Sequence, residues 1–257
     1  MNIKRYKYVG VKVCALTISN LNNIIEKNIG SDGKKVIAHH NMHSVYLRPS
    51  SAKMRDHYAL ADYTHIDGMS LILLGRLLGF ELDRDHRVTY VDWIWPLLER
   101  ASAEGWRVFY LGAKQDVITR GIANIRRRLP DLEVDGRHGY FNMRKNGSEN
   151  REVVEHVNSF APDILLVGMG MPRQEEWIAD NYERLEANII LPSGACIDYI
   201  AGAVRTPPRW MGRLGLEWLY RLINEPRRLW RRCFVEPWYV LYLFLKDFVR
   251  IKVMDRD

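Results

Sequence analysis

Apolar positions along this chain follow two alternating rhythms. Short, nearly unbroken apolar runs recur, and between them lie longer stretches whose apolar residues fall three and four apart. The short runs predict strands over Tyr8–Leu16, Lys35–His39, Tyr63–Ile66, Arg107–Leu111, Glu133–Asp135, Asp163–Val167 and Ala187–Leu191. The spaced stretches predict helices over Asn20–Asn28, Ala52–Leu60, Ser70–Leu78, Val91–Ala103, Gln115–Arg128, Glu149–Phe160, Gln174–Asn181 and Leu214–Ile223. Ser19 is placed to cap the first helix and Gly105 to close the fourth. Strand and helix in alternation predict an α/β fold, a largely parallel sheet with helices on both faces.

The most informative junction is Asp163 to Trp177, DILLVGMGMPRQEEW. A buried-strand run ends in Gly168, Met169 and Gly170, and Pro172 stands where a helix first turn accepts proline. Glycines at the carboxyl end of a parallel strand let backbone approach a ligand, and the N–H groups of the next helix favour an anion such as phosphate.

Composition then narrows the class. With 257 residues, 47% of them apolar, the chain can build one large domain and an appendage, and wholesale disorder is excluded. Cys14, Cys196 and Cys233 lack metal or disulfide spacing, which fits a reducing compartment. The first residues, MNIKRYKYVG, carry charge without an apolar core, so no signal peptide is expected. The net charge of +7 is uneven: from Ala203 onward twelve Arg or Lys face six Asp or Glu, beside four of the eight tryptophans. That divides the chain into a main α/β domain, 1–202, and a basic, aromatic helical appendage, 203–257, with the composition of a membrane-interface segment. Its longest nearly apolar run, Trp238 to Leu245, is far short of the roughly 20 residues that span a bilayer. The appendage is expected to lie on an anionic membrane surface and to be separable from a folded core.

The junction at Gly168 matches VG-x-G-x-P-(K/R)-Q-E-x-W, and other segments follow in order. They include Asn41, IDG at Ile66 to Gly68, RVTYVD at Arg87 to Asp92, FYLG at Phe109 to Gly112 and HGYF at His138 to Phe141. GACIDYIAG at Gly194 to Gly202, RTPPRW at Arg205 to Trp210 and LEWLYRLINEPRRLWRR at Leu216 to Arg232 complete the set. Together they resemble the WecG/TagA/CpsF family of bacterial glycosyltransferases, over about residues 35 to 235. The resemblance implies a Rossmann-like fold and inverting transfer of a sugar from a UDP-sugar to a polyprenyl-diphosphate-linked saccharide. It also implies a peripheral enzyme on the cytoplasmic face of the plasma membrane, with self-association allowed, no nucleic-acid partner, no cofactor and no obligatory metal. The product would enter an exopolysaccharide, capsule or wall polymer.

Candidate site residues follow from both readings. Asp67 ends a strand before Gly68, where a carboxylate could take a proton from an acceptor hydroxyl. On the residues alone a helix cap is the plainer role; the resemblance makes Asp67 the base. Asn41 lies just past the second strand, and His39 stands where the family commonly has threonine. His39 could contact the donor sugar or assist proton transfer, and a metal site from His39, His43 and Asp67 is the less favoured alternative. Tyr90 replaces a common glycine beside Thr89 and Asp92. With His39 it suggests a donor other than N-acetylmannosamine.

The resemblance also assigns Gly112, Tyr140, Gly168, Gly170, Gln174 and Asp198 to the nucleotide. Tyr140 would stack on the base, Gln174 would pair with the uracil edge and Asp198 would hold a ribose hydroxyl or a base N–H. Arg205, Arg221 and Arg228 suit a diphosphate; Arg221 and Arg228 share a helical face unless Pro226 breaks the helix. Two other classes compete. A dinucleotide-dependent oxidoreductase should open on G-x-G-x-x-G, whereas here GMG comes late and Arg173 occupies the third glycine position. A non-catalytic lipid- or nucleic-acid-binding protein would leave Asp67, Gln174 and Asp198 without a purpose.

Overall fold

The computed structural model describes residues 3–31, 33–208, 210–211 and 216–253. The chain opens with an antiparallel hairpin, β1 (Arg5–Tyr8) and β2 (Val11–Cys14). The single strand expected over Tyr8–Leu16 is therefore two. Val9 and Gly10 both take positive φ, 48° and 83°, the two-residue turn whose twist suits a hairpin. Helix α1 (Ile18–Asn28) is capped by Thr17, not Ser19: the Thr17 hydroxyl accepts from Asn20 N, and the Asn20 side chain accepts from Thr17 N.

Six strands form one wholly parallel sheet: β3 (Lys35–His40), β4 (Tyr63–Ile66), β5 (Val108–Gly112), β6 (Val134–Arg137), β7 (Ile164–Gly168) and β8 (Ile189–Pro192). Their spatial order is β4-β3-β8-β7-β5-β6. The connecting helices are α2 (Met42–Leu47), α3 (Ala52–Leu60), α4 (Met69–Leu77), α5 (Tyr90–Glu104), α6 (Gln115–Arg128), α7 (Ser148–Phe160), α8 (Arg173–Asn181) and α9 (Cys196–Ile200). This is a Rossmann-like α/β fold. The two-residue side-chain period divides each central strand between two cores. Val108 and Tyr110 of β5, with Ile164 and Leu166 of β7, face α1, α5, α6 and α9. Phe109, Leu111, Leu165 and Val167 face α7 and α8, where Trp177 is fully buried.

Beyond Ala203 come α10 (Glu217–Asn224), α11 (Pro226–Phe234) and α12 (Glu236–Val253). Pro226 opens α11, so Arg221 and Arg228 do not share one continuous helix. The Arg228 side chain lies outside the described residues. Helix α12 returns to the first domain. Its Val240 and Phe244 are buried in a third core with Tyr8, Val9, Val45 and Ile66. His43 on α2 meets the buried Glu236 carboxylate at 2.9 Å, and the Asp247 carboxylate accepts from Val9 N–H. The appendage thus shares a core with the domain it follows, against the expectation that it is separable.

Candidate active site

Because every strand of the sheet runs the same way, the loops after β3, β4, β5, β7 and β8 gather at one edge, where open α/β sheets bind ligands. Two clusters of predicted residues sit there.

The first is built on β3 and β4. Asp67 follows β4, and its backbone N–H donates to His40 O at the end of β3. Its side chain does not cap α4: the cap is Gly68, without a side-chain bond. Instead Asp67 Oδ2 accepts from Asn41 Nδ2 at 3.3 Å. Asn41 is itself the cap of α2, its Oδ1 accepting from Ser44 N at 3.1 Å, so its amide nitrogen is turned toward Asp67. His39 Nδ1 lies 3.0 Å from Pro192 O. A carbonyl only accepts, so Nδ1 carries the proton and Nε2 is the ring's acceptor. Burial holds His39 below the usual imidazole range, although Asp67 and the Pro192 carbonyl pull it upward. The ring is neutral at physiological pH. Tyr90 is buried beside it, ring centroids 6.1 Å apart. His43, weighed as a metal ligand with His39 and Asp67, turns instead to Glu236. No cluster of three metal-ligating side chains occurs among the described residues.

Thr89 and Asp92 belong to a neighbouring network. Thr89 Oγ1 donates to Asp92 Oδ2 at 3.1 Å, and Arg87 pairs with Asp92 at 3.0 Å and with Glu217 of α10 at 3.1 Å. Arg87, Asp92 and Glu217 border a cleft of about 680 Å³ that Thr17, Arg84 and Pro207 also line; Thr89 does not reach it. Arg87 was not among the predicted residues; its signal was its place five residues before Asp92 in RVTYVD.

The second cluster surrounds a cleft of about 390 Å³ at the ends of β5, β7 and β8. Gly168, Gly170, Tyr140 and Asp198, four of the candidate binding residues, line it together with Lys114 and Arg173, which were not among the candidates. Lys114 directly follows the β5 loop, and Arg173 occupies the basic position of the glycine motif, so both could have been found. Arg173 donates to Gly139 O at 3.0 Å and lies 5.8 Å from the exposed Tyr140 ring.

The glycines have distinct reasons. At Gly168 a Cβ would fall 1.8 Å from the Tyr110 hydroxyl, and at Gly112 it would fall 2.2 Å from Gly168 O. Packing requires both, and Gly112 stands behind the wall. Gly170 has open space but a φ of +76°, so its backbone conformation requires it.

Gln174 is not where a uracil edge could reach it. It is fully buried, its Oε1 accepts from Gly170 N and Gly194 N at 3.1 Å each, and its Nε2 donates to Glu175 Oε1 at 2.7 Å. It holds two loops of the cleft together from behind. One of these bonds occupies the Gly170 N–H, which is therefore not open to a ligand. Arg205 is exposed outside both clefts, and Arg221 on α10 has a buried Nε without a partner among the described residues.

The profile of the Glycosyl transferase WecG/TagA/CpsF family matches residues 6–253. The chain belongs to this family. Among its relatives, an N-acetylglucosaminyldiphosphoundecaprenol N-acetyl-beta-D-mannosaminyltransferase of Bacillus spizizenii strain W23 is 32% identical over 70% of this chain and 67% of its own length. A Staphylococcus aureus strain MW2 protein of the same name is 29% identical over 66% of this chain and 65% of its own length. The chain spans about two thirds of the length of these relatives. Asn41, Asp67 and the Gly168–Gly170 motif, among the segments that carried the resemblance, lie at one edge of the sheet.

Proposed function

We propose that the protein transfers a sugar from a UDP-sugar to a hydroxyl of a polyprenyl-diphosphate-linked saccharide, with inversion at the anomeric carbon. The observation that carries this reading is the placement of Asp67 at the carboxyl edge of the sheet. It is not spent on a helix cap, and Asn41 and His39 flank it. The acceptor hydroxyl gives its proton to the Asp67 carboxylate while its oxygen bonds to the anomeric carbon. The bond from that carbon to the diphosphate oxygen breaks with its electron pair, and UDP departs from the opposite face. The relatives' names support the lipid diphosphate as the acceptor class. Lys114 and Arg173 bring positive charge to the cleft without a metal ion, and Asp198 offers a carboxylate to the nucleoside. Neutral His39 presents an acceptor for a sugar hydroxyl. Its packing against Tyr90 puts a second ring within electrostatic reach of Asp67, which supports a donor other than N-acetylmannosamine. A screen of UDP-sugars for thermal stabilisation tests the donor: stabilisation by none of them at millimolar concentration removes it.

The tie at Gln174 gives a second test. Gln174→Ala leaves Gly170 N–H and Gly194 N–H without their shared acceptor and loosens both loops. UDP affinity is expected to fall about tenfold, the effect of roughly one lost buried hydrogen bond. Wild-type affinity measured by calorimetry would show that the loops hold themselves.

We place the enzyme at the cytoplasmic face of the plasma membrane, resting on its surface. No helix among the described residues is long and apolar enough to cross a bilayer. On α12 the exposed Trp238, Leu241, Tyr242, Leu245 and Val249 form a stripe opposite the buried Val240 and Phe244. Arg227 and Arg231 are exposed on the preceding helix. Apolar insertion and attraction of about 1 kcal/mol per engaged cation to anionic lipid would act together. The double variant Trp238→Ser, Leu245→Ser is expected to lose most binding to anionic vesicles in a flotation assay while its melting temperature stays within a few degrees. Undiminished flotation removes the stripe as the docking face.

A further inference from the structure

Glu175 is the one buried carboxylate among the described residues of α8 that the chemistry above leaves unused. It is 1% exposed. Its Oε1 accepts from Gln174 Nε2 at 2.7 Å, while its Oε2 is buried with no hydrogen-bond partner among the described residues. Gln174 in turn gathers Gly170 N–H and Gly194 N–H on its own oxygen. An amide can be seated either way round, and only one seating serves the two glycines. Glu175 selects it, because a carboxyl oxygen beside Nε2 favours the donor there and would repel the amide oxygen. The chain of bonds runs from Glu175 through Gln174 to both loops that wall the 390 Å³ cleft. Tyr110 adds a parallel tie, its hydroxyl donating to Gly194 O at 2.9 Å.

We propose that Glu175 is a positioning residue of the donor pocket: through Gln174 it fixes the separation of the two glycine loops, and its carboxyl stands behind their wall. The inference rests on the reading of that cleft as the UDP site. Oε1 accepts in either protonation state, so the clamp survives ionisation. What ionisation adds is a negative charge behind a pocket that must hold another negative group.

The surroundings allow Glu175 to change charge near neutrality. Burial pushes its carboxyl up to about 7, against the Gln174 hydrogen bond and the Arg232 charge, while Glu176 works in the same direction as burial. Tyr58 on α3 and Tyr90 on α5 are both within electrostatic reach of Glu175 and of Asp67, and burial pushes both phenols far above neutrality. His39 stays neutral beyond Tyr90. Glu176 is held by the Ser51 hydroxyl at 3.1 Å. The sign follows: a proton bound below pH 7 and lost above it makes UDP binding weaken as pH rises.

The test is UDP affinity, by calorimetry from pH 6 to pH 8.5, for the wild type, Glu175→Gln and Glu175→Leu. UDP's own ionisation is common to all three and cancels in the ratios. Glu175→Gln keeps an acceptor for Gln174 and never ionises. It should match the wild type at pH 6 and bind about threefold or more tightly than the wild type at pH 8.5, the order expected of one added unit charge near the pocket. Glu175→Leu removes the acceptor and should weaken UDP binding about tenfold at pH 6. Identical pH slopes for the wild type and Glu175→Gln would overturn the inference, as would wild-type affinity in a folded Glu175→Leu. If Glu175→Leu does not fold, the slope comparison decides alone. Failure of the wild type itself to bind UDP would instead remove the donor reading, and the inference with it.

Discussion

Asp67→Asn is expected to lower sugar transfer by about 10²–10⁴-fold, the usual cost of losing a general base, while UDP binding stays within about a factor of two. The substitution is nearly isosteric, and the amide oxygen it introduces can still accept from Asn41 Nδ2. What it removes is the ability to take a proton. Neighbouring groups offer little replacement. His39 is neutral and has a free acceptor, but burial lowers its basicity. His57 and His65 are pushed down to about 3 by burial. Steady-state rates with a saturating donor, beside calorimetric UDP affinity, make the check. Full activity would take Asp67 out of the mechanism. Loss of UDP binding in step with transfer would make it a donor ligand instead.

Phe244→Ala is expected to cost about 3–5 kcal/mol of stability, the range for emptying a well-packed aromatic site. Phe244 is 5% exposed on α12, in the core it shares with the hairpin and with Val45 and Ile66. For a chain of this size that corresponds to a fall in melting temperature of roughly 6–20 °C. Leu245→Ala, one residue along on the exposed face, should shift it by no more than about 2 °C. Equal shifts for the two would contradict the inward and outward faces described for α12. Removal of 235–257 should do worse than either substitution. It uncovers Tyr8, Val9 and Val45 and takes away the carboxylates that hold Val9 N–H and His43. Aggregation on expression is the expected outcome. Loss of transfer in such a truncation would therefore say nothing about diphosphate binding.

The sequence revealed the sheet well because buried parallel strands are unbroken apolar runs, and β4 was read to the residue. It failed on the hairpin because Val9 is an unusual residue at positive φ. Here the turn is held from outside, by Asp247 some 240 positions away in the chain. Helices α2 and α9 were missed because six and five residues are too few to show a 3.6-residue period. The role of α12 was half legible. Its aromatic content was plain, but which stripe faces a core depends on the hairpin that receives it. In the candidate site the sequence singled out Gly112, Gln174 and Arg205, and none of the three lines either cleft. Gln174 could be singled out from the motif, yet nothing in the letters tells that its amide is spent on two glycine N–H groups behind the wall. Arg173 was weighed only as the residue in a third glycine's place, and it lines the cleft. Asp67 was ambiguous for the opposite reason: a strand-end aspartate before a helix usually caps it, and only the geometry at Gly68 removes that role.

The central claim is tested most directly by mass spectrometry and NMR of the product formed from a UDP-sugar and a short-chain polyprenyl-diphosphate-linked N-acetylglucosamine. The account predicts release of UDP that depends on the acceptor. The acceptor should gain the mass of one sugar, in a linkage of anomeric configuration opposite to that of the donor. UDP release without an acceptor product, transfer with the donor's configuration retained, or no turnover with any UDP-sugar would each contradict it.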